Sequence, residues 1–222
     1  MHSNTPLATL RTPLPGVPQR PVDLIVIHCS ATPSGKPLQQ GQPGQAGYLN
    51  SAAVINAWHA ARGFRRNSAA RQWFNPQMPS IGYHYVIDLD GTVLSGRHLD
   101  EVPAQAAGFN AKSVGICLVG GVEREAQYTQ AQWKSLTELM VALLAEYGLP
   151  AAAPRRVDDA TADVGYRVFG GVCGHRDLSP DTNGDGQIKP AEWVKTCPGF
   201  DVTEWLTAGM FPPHQRHVSK GV

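Results

Sequence analysis

Val22-Asp23-Leu24-Ile25-Val26-Ile27-His28-Cys29-Ser30 is the stretch on which the fold turns. Leu24 to Cys29 are apolar on both alternating faces apart from His28, the pattern of a strand covered on each side rather than half open to water. Ser30-Ala31-Thr32-Pro33 breaks it. Alternation sets His28 with Leu24 and Val26, and Cys29 with Ile25 and Ile27. An imidazole in such a strand needs a partner, because an unpaired buried polar group is costly. A hydrogen-bonded core histidine and a metal ligand both satisfy that requirement.

Ser113-Val114-Gly115-Ile116-Cys117-Leu118-Val119-Gly120 reads as a second buried strand. Gly82 to Asp88 and Thr92 to Gly96 form a hairpin through Asp90-Gly91, with Tyr83 and His84 on opposite faces. Thr129-Gln130-Ala131-Gln132 is a capping box that opens a helix with Leu136, Leu139, Met140, Leu143, Leu144 and Tyr147 at helical spacing, closed by Gly148. An earlier helix starts at Asn50 or Ser51, carries Val54, Ile55 and Trp58 as its apolar stripe and ends at Gly63. Residues 149–165 read as a connection, Val168 to Cys173 as a short strand leading to His175, and Val202 to Ala208 as a helix capped by Asp201. The sum is an α/β fold, a central mixed β-sheet flanked by α-helices. The long stretch Arg65 to Ser80, with Trp73, Phe74 and Met78, fits either a surface loop anchored by aromatics or a wall of a substrate cleft.

With 222 residues and 42% apolar content the chain can bury one sizeable core, and one domain is expected over residues 22–207. Residues 1–21 read as a Pro-rich extended arm and residues 208–222 as a loose tail. A net charge of +1 gives no global attraction to nucleic acid; the only basic cluster is His214-Gln215-Arg216-His217-Val218-Ser219-Lys220. No run approaches the roughly 18 apolar residues of a membrane span, and no secretory signal is read at the amino end. Four cysteines require no disulfide framework; Cys29 and Cys117 read as core.

Two further segments carry chemistry. Cys173-Gly174-His175-Arg176-Asp177 and Lys195-Thr196-Cys197-Pro198-Gly199-Phe200-Asp201 supply an imidazole and a thiol that can join His28. Two His and one Cys leave the fourth position of a tetrahedral zinc site open, as catalysis requires. Cys173, two residues before His175, is the reserve ligand should Cys197 not bind. Between these segments Asp181, Asn183, Asp185, Gly186, Gln187 and Glu192 fall in the register of an EF-hand calcium loop over 181–192, with Gln187 offering its carbonyl and Glu192 closing the shell. No helix precedes that loop, so the expected calcium is structural, ordering the excursion that returns Lys195 and Cys197.

Ile27-His28-Cys29-Ser30-Ala31-Thr32, Ile81-Gly82-Tyr83-His84-Tyr85, Ser113 to Gly121 and Cys197-Pro198-Gly199-Phe200-Asp201 together resemble the zinc N-acetylmuramoyl-L-alanine amidases. The likeness is nearest to the phage T7 lysozyme type, with the peptidoglycan recognition proteins more distant, and it spans roughly residues 22–207. It implies one amidase domain that hydrolyses the bond between N-acetylmuramic acid and L-alanine in peptidoglycan or muropeptides. It also implies His28, His175 and Cys197 as zinc ligands, Tyr83 orienting water or the scissile carbonyl, and Lys195 stabilising the oxyanion. His84 faces away and is structural. One departure stands out: Gln105 occupies a position where the family usually carries His; in the strand after it, Cys117 and Val119 follow the phage type where bacterial relatives often place glutamates, so no carboxylate is assignable as general base. A monomer is expected, made in the cytoplasm and reaching the wall by holin-type release or a secretion machine. A muropeptide-binding module without catalysis is the alternative; such modules typically lack the Cys ligand.

Overall fold

The computed structural model describes residues 12–219. Four parallel strands, β1 (Leu24–Cys29), β2 (Tyr85–Ile87), β4 (Ser113–Leu118) and β7 (Gly171–Gly174), form the sheet, and β3 (Val93–Ser95) adds an antiparallel edge. The order is β3-β2-β4-β1-β7. β1 is central, pairing Val26 with Gly115 on one side and Cys173 on the other. All six of its residues are buried, as its two-faced apolar pattern requires.

From β1 the chain crosses to β2 through α1 (Ser51–Ala61) and the short α2 (Ser68–Arg71). From β4 it crosses in the opposite sense to β7 through α3 (Gln130–Tyr147) and the small antiparallel hairpin β5 (Arg155–Asp158) and β6 (Tyr166–Phe169). Right-handed crossovers in opposite directions put helices on opposite faces. The core divides accordingly. Ile25, Ile27, Ile116 and Leu118 pack with Leu136, Leu139, Leu143 and, from α4 (Val202–Thr207), Trp205. On the other face Cys117 and Val86 pack with Ala52 and Ile55 of α1, and Leu24, Val26 and Cys173 with Ala106 and Leu178.

Local signals fix the helix ends. Asn50 accepts from Ala53 N–H (2.9 Å) at α1, and Asp201 caps α4. Thr129 and Gln132 complete a reciprocal capping box on α3, which Gly148 ends in the left-handed conformation.

Four expectations change. Trp58, placed in the apolar stripe of α1, is 41% exposed. The expected strand from Val168 to Cys173 is two strands, broken by Gly170 at φ 62°. The connection 149–165 contains β5, whose largely exposed residues are polar but for Val157 and show no apolar alternation. The described parts of the arm and tail are held at two buried side chains: Arg20 is buried and donates to the carbonyls of Leu99 (2.8 Å) and Ser113 (2.8 Å). His217 is buried against Phe200, with its carbonyl taken by Trp133 Nε1–H (3.0 Å). The part of the arm over residues 1–11 and of the tail over 220–222 lies outside the described residues.

Candidate metal centre

His28 comes from the last turn of the pleat in β1, His175 from the residue after β7, and Cys197 from the segment before α4. All three therefore meet at the carboxyl ends of the parallel strands, where open α/β sheets place their ligands. One ligand atom from each lies within 4.8 Å of the others, and among the described residues this is the one such group of three. The two imidazole centroids are 4.6 Å apart. Cys173, the reserve ligand, is instead buried with Leu24 and Val26 in the apolar cluster beneath.

The segment that delivers Cys197 is clamped on several sides. Its carbonyl accepts from Arg176 N–H (2.8 Å), and the Arg176 guanidinium lies 4.2 Å from the centre of the Trp193 ring and 3.0 Å from Asp201 Oδ2. Tyr128 Oη donates to the Pro198 carbonyl (2.6 Å). Gly199, at φ 83°, sits so close to Ala126 that a Cβ there would lie 2.5 Å from the Ala126 Cβ. The Cys197 sulfur itself receives the Cys29 backbone N–H at 3.0 Å, a donor suited to a thiolate.

Electrostatics keep the imidazoles neutral. Burial, then His175, hold His28 well below the ordinary imidazole value. Burial, then Lys195, bring His175 down to about 4. Burial pushes the Cys197 thiol well up. Two neutral imidazoles and a thiol that a cation would deprotonate are the donor set of a zinc site, so the residues fit that metal.

A cleft of about 200 Å³ opens over the trio. Tyr83 lies 5.0 Å from His28, ring centre to ring centre, and burial raises its phenol well above the usual value, so it remains a donor. Lys195 is exposed at the rim. Trp58, His59, Arg62 and Phe64, from the end of α1 and the turn after it, complete one wall. Among the described residues no Asp or Glu lines this cleft. His59 Nδ1 accepts from Gly82 N–H (2.8 Å), fixing the backbone just before Tyr83.

The wall thus comes from α1 rather than from Arg65 to Ser80. Met78 is core, Phe74 stacks edge-on against His98, and Arg66 is pinned to Glu101 by a fully buried ion pair (Nη2 to Oε2, 2.6 Å). The signal for His59 was an imidazole one turn after buried Ile55, faint by itself. His84 is structural: its Nδ1 accepts from Gly115 N–H (3.0 Å) and Nε2 faces the Glu101 carbonyl (2.9 Å).

The 181–192 loop is closed by its own hydrogen bonds. Asp181 accepts from Gly184 and Gly186 N–H, Asn183 from Asp185, Asp185 from Gln187, and Glu192 from Thr182, Asn183 and Lys189. Two basic side chains occupy the carboxylates, Arg156 on Asp181 (2.7 Å) and Lys189 on Asp185. The expected convergence on a cation is not the arrangement found.

Comparison with known proteins finds relatives in sequence and in fold. The sequence profile of the N-acetylmuramoyl-L-alanine amidases matches residues 18–200. The endolysin of Escherichia phage T7 is 31% identical over 187 residues, 82% of this chain and 84% of that protein. Among solved structures, the N-acetylmuramoyl-L-alanine amidase LysCS of Clostridium intestinale aligns at TM-score 0.50 and 22% identity, covering 91% of this chain and 90% of the other. Drosophila PGRP-LB aligns at TM-score 0.50 and 20% identity, covering 91% and 87%. A fold shared with both structures and a profile that spans the sheet and all three candidate ligands establish that the chain belongs to the N-acetylmuramoyl-L-alanine amidase family.

Proposed function

We propose that this chain is a peptidoglycan hydrolase of the endolysin kind, cleaving the amide between N-acetylmuramic acid and L-alanine with zinc held by His28, His175 and Cys197. The observation that carries the reading is the convergence of these three ligand atoms within 4.8 Å in a cleft that Tyr83 and Lys195 also line. When bound, zinc supplies Lewis-acid polarisation of the scissile carbonyl and a more acidic water. Lys195 holds positive charge at the rim, where the carbonyl oxygen becomes an oxyanion. Tyr83 keeps its proton and donates to the water or the carbonyl, and the Gly82–His59 bond fixes its backbone. Attack forms the new C–O bond, the C–N bond breaks, and the proton from water leaves with the L-alanine amine.

The substrate is peptidoglycan or its muropeptides. Among the described residues no helix is long and apolar enough to cross a membrane. A monomer made in the cytoplasm that reaches the wall by holin-type release or a secretion machine fits the endolysin relatives. A calcium ion in the 181–192 loop rests on the sequence register of Asp181, Asn183, Asp185, Gln187 and Glu192, and it would have to displace Arg156 and Lys189. Titration calorimetry with calcium tests it; no heat at millimolar calcium leaves the loop as a self-bonded turn.

The deciding experiment measures metal content by mass spectrometry in the wild type and in Cys197→Ser, alongside release of stem peptides from purified peptidoglycan. One zinc per chain, with release lost in the variant, supports the reading. Zinc without release points to a muropeptide-binding module. A folded, metal-replete sample without zinc overturns the site.

A further inference from the structure

Gln105 sits beside the candidate metal ligand His28, and its surroundings are built around its carboxamide. Its backbone N–H and that of Ala106 both donate to Asn110 Oδ1 (3.0 Å each), which fixes the loop. Its Nε2 donates to Ser113 Oγ (2.8 Å). With the amide nitrogen held, Oε1 is turned toward the strand pair β1–β4. Gly115 makes room for it: a Cβ there would lie 1.7 Å from Gln105 Oε1. Gly115 pairs with Val26, two residues before His28 and on the same face of β1, so the amide oxygen lies next to the imidazole.

Two polar atoms in this corner are buried without a well-formed hydrogen bond, Nε2 of His28 and Oε1 of Gln105. One can be an N–H donor and the other is only an acceptor. Ligand imidazoles commonly donate their second N–H to such an acceptor, which fixes tautomer and ring angle.

We propose that Gln105 is a positioning residue for the metal, its Oε1 accepting the Nε2–H of His28 so that Nδ1 is the atom presented to zinc. Ser113 and Gly115 are part of the same device, the first orienting the carboxamide and the second providing the space it occupies. An amide in this place holds the tautomer without adding a charge to the cleft.

The proposal rests on the zinc reading, and its test reads zinc affinity and tautomer rather than turnover. Zinc dissociation constants are measured by chelator competition for the wild type, Gln105→Met, Gln105→Glu and Gly115→Ala. Gln105→Met keeps the volume but removes the acceptor, and affinity is expected to fall roughly 10- to 100-fold. Gly115→Ala displaces Oε1 and is expected to fall in the same direction. Gln105→Glu retains an acceptor oxygen and is expected to bind at least as tightly as wild type. Nitrogen-15 NMR of the zinc-loaded wild type, which does not depend on any variant folding, is expected to show His28 protonated at Nε2. A proton at Nδ1, or equal affinity of Gln105→Met and wild type, overturns the proposal while leaving the zinc reading intact. A wild type that binds no zinc overturns both.

Discussion

His59 gives the most quantitative prediction. Its ring is buried between Phe64 and Tyr83, with centroids 4.7 and 5.3 Å away, and its Nδ1 is occupied by the Gly82 N–H. Burial, then Arg62 and Arg97, lower its pKa to about 4 from an ordinary 6.5. The unfolded chain therefore takes up a proton first as pH falls. Stability from this group is complete above about 6.5 and is lost progressively down to about 4. At about 1.4 kcal/mol for each unit of the gap, the ceiling is about 3 kcal/mol, and the loss between about pH 8 and pH 5 is about 2 kcal/mol. His59→Asn supplies an oxygen near the place of Nδ1 but cannot titrate. Urea unfolding of both proteins at the two pH values, with chelator present to keep them metal-free, isolates the difference. Wild type is expected to lose about 2 kcal/mol more than the variant on acidification. Equal losses, within about 0.5 kcal/mol, would refute the argument that a neutral His59 holds Gly82.

Three other outcomes follow from single contacts. Lys195→Met is expected to lower kcat by roughly 100-fold or more with zinc content unchanged, measured by peptide release and mass spectrometry; loss of zinc instead would make Lys195 part of metal-site assembly. Glu101→Gln removes the only carboxylate found on the Arg66 guanidinium, whose side chain is 0% exposed, leaving a buried charge with neutral acceptors alone: one amide oxygen and the carbonyls of Phe74, Asn75 and Met78. A cost of about 3–5 kcal/mol is expected, and a drop in Tm of less than about 2 °C would contradict it. Arg62 lines the cleft with its guanidinium 5.2 Å from the Phe64 ring centre, in a wall without carboxylates. Arg62→Ala is expected to raise KM by roughly 10-fold or more on stem peptides with a free carboxylate, and much less on amidated ones.

The strands and the long helix were legible because their signals are local. Leu24 to Cys29 carry a burial pattern that β1 realises at every residue, and Thr129 to Gly148 contain both ends of α3. Where polar residues make structure, the sequence was silent. Arg155 to Asp158 pair with Tyr166 to Phe169 through backbone groups that any side chain permits, so β5 left no trace in the hydropathy. Arg20 and His217 read as parts of loose ends because their partners are main-chain groups and rings far along the chain.

By itself the sequence determined a covered sheet, its capped helices and the candidate ligand types His, His and Cys, since periodicity and donor chemistry are properties of residues and their near neighbours. Resemblance added the family. Only the tertiary structure decided which residues share the cleft. It brought Trp58, His59, Arg62 and Phe64 to the wall, sent Met78 and Cys173 into the core, and set Gln105 over Gly115 beside His28. The physical reason is that a sheet's crossovers and close packing join residues tens of positions apart through shape and satisfied hydrogen bonds. Those are conditions that no single segment of the chain contains.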